Sequence, residues 1–322
     1  MKSSISDYVL VVVSAIVSLD FIKTPLTNDA RIYIGVEHLA AQYYPFPQNI
    51  DICWEIKPIG NRLINYIIYK LASVFAPFED HAMFGVAVKF IALIAVLLIA
   101  AYFAHTLQNR PAFWITLLAF LTCANFCILQ AEWWACLLAI LAVALIASGK
   151  TWQQIAAGFL LVFILLIKGI SGLLFIPIVC MVYLLAKPQQ KAIVNVLAGC
   201  LSGFALFCIT AVTIWKNMIP DIFLAPQLAK VGIYTPIESV MYFVMQLVVS
   251  PIYIPVLLPG FFAAVLYWVL VKHTPAEKVA FALMWLVPAV MVLISSEFFL
   301  YHYFWLVLPA IATLILSLER IP

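Results

Sequence analysis

The chain is a succession of long apolar runs cut by short polar breaks, and that pattern limits what it can fold into. Ten segments are candidates for membrane helices: 6–22, 84–106, 112–129, 133–148, 152–168, 170–186, 192–215, 251–272, 277–294 and 301–318. A helix needs about 20 mainly apolar residues to cross a bilayer. Composition points the same way. Of 322 residues, 66% are hydrophobic and 10% charged, against about 45–50% and about 25% in a soluble domain. No water-soluble core buries that much apolar surface, and a disordered chain is far more polar. The expected fold is an all-α polytopic membrane protein with about ten transmembrane helices, forming one integral-membrane domain over 1–322. Two loops are long, 23–83 and 216–250.

Several classes drop out early. Net charge is +3 and no Lys/Arg-rich run occurs, so nucleic acid is not an expected partner. Six of the seven Cys lie in apolar runs, with only Cys53 in a polar segment. That spacing suits neither a disulfide framework nor a metal site. The apolar run from Tyr8 to Ile22 carries Asp20 and is followed by no clear small-residue cleavage site, so an uncleaved first helix is expected. No N-x-S/T sequon is present, which favours a prokaryotic plasma membrane over a eukaryotic secretory route.

Two stretches are ambiguous. In 59–76, Leu63, Ile67, Leu71 and Val74 recur at helical spacing opposite Asn61, Asn65, Tyr69 and Ser73. This amphipathic pattern suits a helix lying on the membrane. Residues 236–250 are shorter, and a surface or re-entrant placement is expected. Charge supports the choice. With ten spans and the N-terminus inside, the inner loops hold eight basic residues (Lys2, Arg110, Lys150, Lys187, Lys191, Lys272, Lys278, Arg320) against three acidic ones. Counting 59–76 as a span would flip every later loop and put cations such as Arg110, Lys187, Lys191, Lys272 and Lys278 outside, against the positive-inside rule. The topology then gathers Asp29, Lys57, Glu132, Lys168, Glu297 and His302 at the outer face, and ionisable groups near membrane level are functional candidates.

Each candidate has a plain reading beside a sharper one. Asp29 is either a helix cap or a general base at the water–membrane boundary. The segment Trp54-Glu55-Ile56-Lys57-Pro58-Ile59-Gly60-Asn61-Arg62 opens the amphipathic helix. Its Lys57 and Arg62 contact lipid headgroups, or one of them holds a phosphate. Glu132 follows Gln130-Ala131 and precedes Trp133-Trp134, where a solvated turn residue beside belt tryptophans is the plain reading. Lys168-Gly169 interrupts what would otherwise be one apolar stretch. A Lys at mid-span costs about 2.5–3.5 kcal/mol, so an outer turn is expected there. Lys168 is then a snorkelling cation or a phosphate ligand beside a helix N-terminus. Tyr301-His302-Tyr303 is an aromatic belt or places His302 on a lipid phosphate. No phosphate-cradling loop, dinucleotide fingerprint, zinc-protease or serine-hydrolase motif occurs.

Read in order, these elements resemble the GT-C superfamily of membrane glycosyltransferases, nearest to the aminoarabinose-transferase and protein O-mannosyltransferase group. Asp29-Ala30-Arg31-Ile32-Tyr33 is similar to that family's acidic motif after the first helix. Glu55-Ile56-Lys57-Pro58-Ile59 is similar to its E-K-P element, with one residue inserted. Glu132 stands where its second acid emerges, as Glu in place of the usual Asp. Ile167-Lys168-Gly169, leading to Pro177, is similar to its T-K-G element. Met284-Trp285-Leu286-Val287-Pro288 and Tyr301 to Pro309 resemble its last two elements. The likeness runs from about Asp7 to Leu318.

The resemblance implies an inverting transfer of a sugar from a polyprenyl-phosphate donor to an acceptor hydroxyl of a glycan, lipid or protein at the outer face. It implies Asp29 as base, with Glu132 orienting a sugar hydroxyl or holding a cation with Asp29. Lys168 would bind the donor phosphate, helped by Lys57, Arg31, Arg62 and His302. Tyr33, Glu55, Glu297 and Tyr301 would contact substrate. No obligatory metal is expected, because basic groups outnumber acids among the candidates, although a divalent cation at Asp29/Glu132 stays open. The other readings are a transporter or flippase of an anionic lipid or solute, and a membrane scaffold. A transporter calls for ionisable groups near the midplane and often for two related halves, and no such repeat is visible.

Overall fold

The computed structural model describes residues 5–43, 59–187, 190–213, 254–294 and 300–321, with positions 238, 241 and 245 between them. Among the described residues every regular element is helical. In chain order these are α1 (Ile5–Lys23), α2 (Asn28–Tyr43), α3 (Ile59–Ala72), α4 (His81–Leu107), α5 (Arg110–Cys127), α6 (Ala131–Ala147) and α7 (Thr151–Ile167). A 3-10 turn over Gly169–Leu174 leads into α8 (Phe175–Ala186), followed by α9 (Gln190–Thr213), α10 (Ile254–Leu270) and α11 (Pro275–Ile294). A second 3-10 turn, Leu300–Leu306, opens α12 (Val307–Arg320). Each of the ten expected apolar segments falls, over most of its described residues, on a helix. Among the described residues, five helical stretches are long and apolar enough to cross a membrane: α4, Gly169–Ala186, α9, Pro275–Leu293 and His302–Arg320. Shorter apolar helices cover Arg110–Thr122, α6, α7 and Pro255–Leu270. Most of loop 216–250 lies outside the described residues.

Helix boundaries follow local chemistry. The Asp80 carboxylate accepts the backbone N–H of Met83 at 3.1 Å, satisfying one free donor at the start of α4. Gln108 takes a left-handed conformation, φ 53°, and ends α4. Lys168 adopts extended backbone after α7, so the apolar stretch breaks there. The chain resumes as a helix with Pro177 in the first turn of α8, where its missing N–H costs nothing.

The core centres on α6. Nearly every residue from Ala131 to Ile146 is buried, and α6 packs on α4, α7, α8 and the second 3-10 turn. Helix α12 is the other central helix, with 78% of its apolar window inside the protein, against 22% for α9. Large exposed apolar residues such as Leu98, Leu201, Val212 and Val269 sit on peripheral helices, as lipid-facing surfaces require. Trp133 and Trp305 are fully buried and Trp134 nearly so, so Trp133 and Trp134 are core residues, correcting their reading as belt tryptophans. Trp152 is exposed.

Helix α3 is amphipathic, and the protein buries its polar side. Asn61, Arg62, Asn65 and Tyr69 are buried against α2, α4 and α7. Ile67, Leu71 and Val74 are exposed. The apolar stripe thus faces away from the protein, as expected of a helix seated against lipid.

The two ends of the bundle differ. At one end, Asn109 Nδ2 donates to Glu319. Arg320 donates to Tyr267 Oη at 3.0 Å, Glu277 Oε1 at 3.2 Å and the Leu184 carbonyl at 2.7 Å. These contacts join loops assigned to the inner side. His302, at the start of the stretch that closes with Arg320, marks the opposite end.

Close helix approach depends on small residues. A Cβ on Gly158 would come within 2.2 Å of the Val196 carbonyl oxygen, and one on Gly199 within 2.0 Å of the Ile155 carbonyl oxygen. Gly199→Val therefore separates α7 from α9 and lowers the melting temperature of the detergent-solubilised protein by several degrees, an overpacking cost of about 1–3 kcal/mol. Gly35→Ala meets no atom within 4 Å and leaves the melting temperature within a degree or so.

Candidate functional site

Three polar side chains from distant parts of the chain meet at one end of the bundle. Glu132 projects from the first turn of α6, Lys168 from the break after α7, and His302 from the second 3-10 turn. Lys168 Nζ donates to Glu132 Oε1. His302 Nε2 lies 3.3 Å from Lys168 Nζ and 3.5 Å from Glu132 Oε1. Glu132 and His302 are buried, at 1% and 3% exposure, whereas the Lys168 side chain keeps 26%. The ammonium is thus the member of the trio that can reach a ligand.

Local sequence explains the placement. The turn between α5 and α6 puts Leu129, fully buried, at φ 69°, a conformation that costs an L-residue about 1–2 kcal/mol. It turns the chain so that Gln130 and Glu132 enter the bundle. Beneath them Trp133 Nε1 donates to the Phe120 carbonyl at 3.3 Å, and the Phe120 ring meets Phe304 edge-on. Cys136 Sγ lies 3.6 Å from the Phe304 carbonyl oxygen. This aromatic packing fixes the second 3-10 turn, and His302 with it, over α6. Two buried polar atoms at the site, Glu132 Oε2 and Ser171 Oγ, have no hydrogen-bond partner among the described residues. Such atoms normally find a polar partner.

Two other expected elements border the trio. Tyr33 in α2 donates its hydroxyl to Gln130 Oε1 at 3.2 Å, two residues from Glu132. Gly60 at the start of α3 packs so closely on α7 that a Cβ would lie 2.6 Å from the backbone of Leu166 and Ile167, next to Lys168. Asp29 lies in the first turn of α2, one helical turn before Tyr33; its side chain, and that of Tyr301, lie outside the described residues. Glu55, Lys57 and Glu297 lie outside them altogether.

Other assignments change. Arg62 forms a two-pronged pair with Glu37, Nη2 to Oε2 being 3.2 Å and Nε contacting Oε1. Both side chains are buried. Burial pushes the Glu37 carboxyl above its ordinary range, with the Arg62 guanidinium pulling it back down. Arg62 therefore ties α3 to α2 rather than reaching for the phosphate site. Arg31 is exposed and lines a different cavity, with Lys23 and His81. Glu132 is engaged by Lys168 and His302. Among the described residues no group of three or more His, Cys, Asp or Glu is placed to hold a metal ion. The helix after Lys168 opens as a 3-10 turn whose Ser171 N–H already donates to the Lys168 carbonyl at 2.7 Å, so an α-helical N-terminus is not what sits beside the ammonium.

Sequence reading missed Glu37, Lys23, His81 and Lys89. Lys89 carried a signal, being an ionisable group inside an apolar run. Its Nζ donates to the carbonyls of Phe21, at 2.8 Å, and Thr24. Glu37 had no local signal, since its partner lies across a loop.

Compared with family models, curated proteins and solved structures, the chain matches none.

The burial asymmetry of the trio predicts unequal single variants. Removing one partner of a buried pair costs about 3–5 kcal/mol. Lys168→Met strands the buried Glu132 carboxylate and lowers thermal stability more than Glu132→Gln, which frees an ammonium that can reach water. The double variant recovers most of the Lys168→Met loss. Melting curves of the three variants check the order.

Proposed function

We propose that the chain is an inverting glycosyltransferase of the GT-C type. It moves a sugar from a polyprenyl-phosphate donor to an acceptor hydroxyl at the outer face of a prokaryotic plasma membrane, and ten helices span that membrane. One observation carries the reading: Glu132, Lys168 and His302 converge from three segments, bordered by the helices that begin with Asn28 and Ile59. A scaffold needs no such buried charged cluster. A transporter needs ionisable groups along a path through the membrane, and this trio sits at one end of the bundle.

The chemistry follows from the residues. The Asp29 carboxylate takes the proton of the acceptor hydroxyl. The freed oxygen attacks the anomeric carbon on the face opposite the phosphate. The bond from that carbon to the phosphate oxygen breaks, its electron pair stays with the polyprenyl phosphate, and the configuration inverts. The leaving phosphate gains charge, and a fixed cation stabilises it. Lys168 supplies that cation at the site's accessible edge. Glu132 orients the ammonium. His302 either accepts from the ammonium or, when protonated, adds a second positive group. No metal is assigned a step.

Two variants test the assignment in a transfer assay with a radiolabelled polyprenyl-phosphate sugar. Lys168→Gln lowers turnover by at least 100-fold, as loss of one fixed transition-state donor does (about 10²–10³ in rate), and weakens donor binding. Asp29→Asn keeps donor binding and loses turnover. Undiminished transfer by Asp29→Asn removes the base assignment; undiminished transfer by Lys168→Gln removes the phosphate assignment. Turnover persists in chelator. Complete loss that Mg²⁺ or Mn²⁺ restores contradicts a metal-free reaction.

A further inference from the structure

We infer a second anion-binding site, one that takes a phosphate group, on the side of α2 away from the Glu132–Lys168–His302 trio. A cavity of about 390 Å³ opens where the end of α1, the start of α2 and the start of α4 meet. Its rim carries Lys23 from α1, Arg31 from α2 and His81 from α4, with the Thr24 backbone between them. Three helices thus each contribute one basic side chain to a single concavity. None of the described residues lining it is acidic.

Among the described residues neither Lys23 nor Arg31 has an ion-pair partner. Of the described carboxylates in these helices, Asp80 accepts the Met83 N–H, Glu37 is taken by Arg62, and Asp20 acts on the Lys89 ammonium. His81 is held at the rim by its ring, edge-on to Phe78 at 5.3 Å. A helix C-terminus would ordinarily repel an anion, because its free carbonyls carry partial negative charge. Lys89 removes that obstacle at α1 by binding the Phe21 and Thr24 carbonyls from below. The floor, from Leu26 and Gly85, is apolar. Charged rim, apolar floor and a volume within the roughly 300–1,000 Å³ of small-ligand pockets suit a phosphate monoester or a lipid headgroup. A whole lipid does not fit.

Helix α2 relates this site to the trio. Arg31 and Tyr33 are two residues apart, which puts them on opposite sides of a helix. Tyr33 reaches Gln130 beside Glu132, while Arg31 lines the new cavity. One helix therefore forms a wall of both sites.

The shared chemistry, a phosphate, has two sources: an anionic lipid headgroup or a soluble phosphate ester. The protein is purified whole and reconstituted in zwitterionic nanodiscs. Binding is measured for phosphatidic acid, added to the nanodisc and read by native mass spectrometry, and for glycerol 3-phosphate, read by calorimetry. The Lys23→Gln/Arg31→Gln double variant changes two exposed side chains and keeps the melting temperature. It binds one or both probes about 30-fold more weakly, as loss of two near-surface cations implies, and the affinity of the wild type falls with added salt. Loss confined to phosphatidic acid makes the ligand a lipid headgroup; loss confined to glycerol 3-phosphate makes it a soluble ester. Lys168→Gln keeps this binding, so failure of the donor-site assignment and failure of this one read out separately. Equal binding of both probes by the wild type and the double variant overturns the inference, as does loss of binding through Lys168→Gln alone. Ala82→Trp, which fills the cavity without altering charge, is the second check. Unchanged probe binding by that variant also overturns the inference.

Discussion

The buried carboxylate of Glu132 organises one end of this protein. A carboxylate removed from water is stable only with a positive partner and good hydrogen bonds. Lys168 supplies the partner, and it can do so because the apolar chain breaks into extended backbone between α7 and the following 3-10 turn. His302 comes down on the same pair from the other direction. The ion pair thereby couples the start of α6, the end of α7 and the approach to α12, three elements far apart in sequence.

A second buried pair performs the same service for the flanking helices. Glu37 and Arg62 hold α2 to α3, while Gly60 holds α3 to α7 and Tyr33 holds α2 to the α6 entrance. These contacts turn an otherwise loosely attached pair of helices into a rim around the trio. They also explain why α3 turns its polar stripe inward. Arg62 carries Asn61 and Asn65 inward with it: both are buried, and Asn61 Nδ2 and Oδ1 and Asn65 Oδ1 find no hydrogen-bond partner among the described residues, while the apolar stripe is left facing away from the protein.

Much of this was legible in the sequence. Apolar runs of membrane length mark helices, because in a bilayer a helix satisfies its own backbone, and the described parts of the ten runs are mainly helical. The cost of a mid-span Lys put Lys168 at a break, where the chain does leave the helix, and of the six groups that the charge rule gathered at the outer face, Glu132, Lys168 and His302 meet. Pairing was not legible. Arg62 reads as a headgroup or phosphate ligand until Glu37 is seen beside it, since 25 residues and a loop separate the two. Arg31 reads as part of the donor site because it shares with Tyr33 the motif that carries the family resemblance, and helical rotation sends the two apart. Trp133 and Trp134 read as interfacial because they begin a span, yet the aromatic packing around Phe120 and Phe304 draws them into the core.

A cryo-EM map of the protein with a bound polyprenyl phosphate tests the central claim most directly. The account requires the phosphate within hydrogen-bonding distance of Lys168 Nζ, with the lipid tail running from it into the bilayer. Density for the phosphate at the opposite end, beside Arg320 and Lys150, or in a site that leaves the Glu132–Lys168–His302 trio untouched, would contradict it.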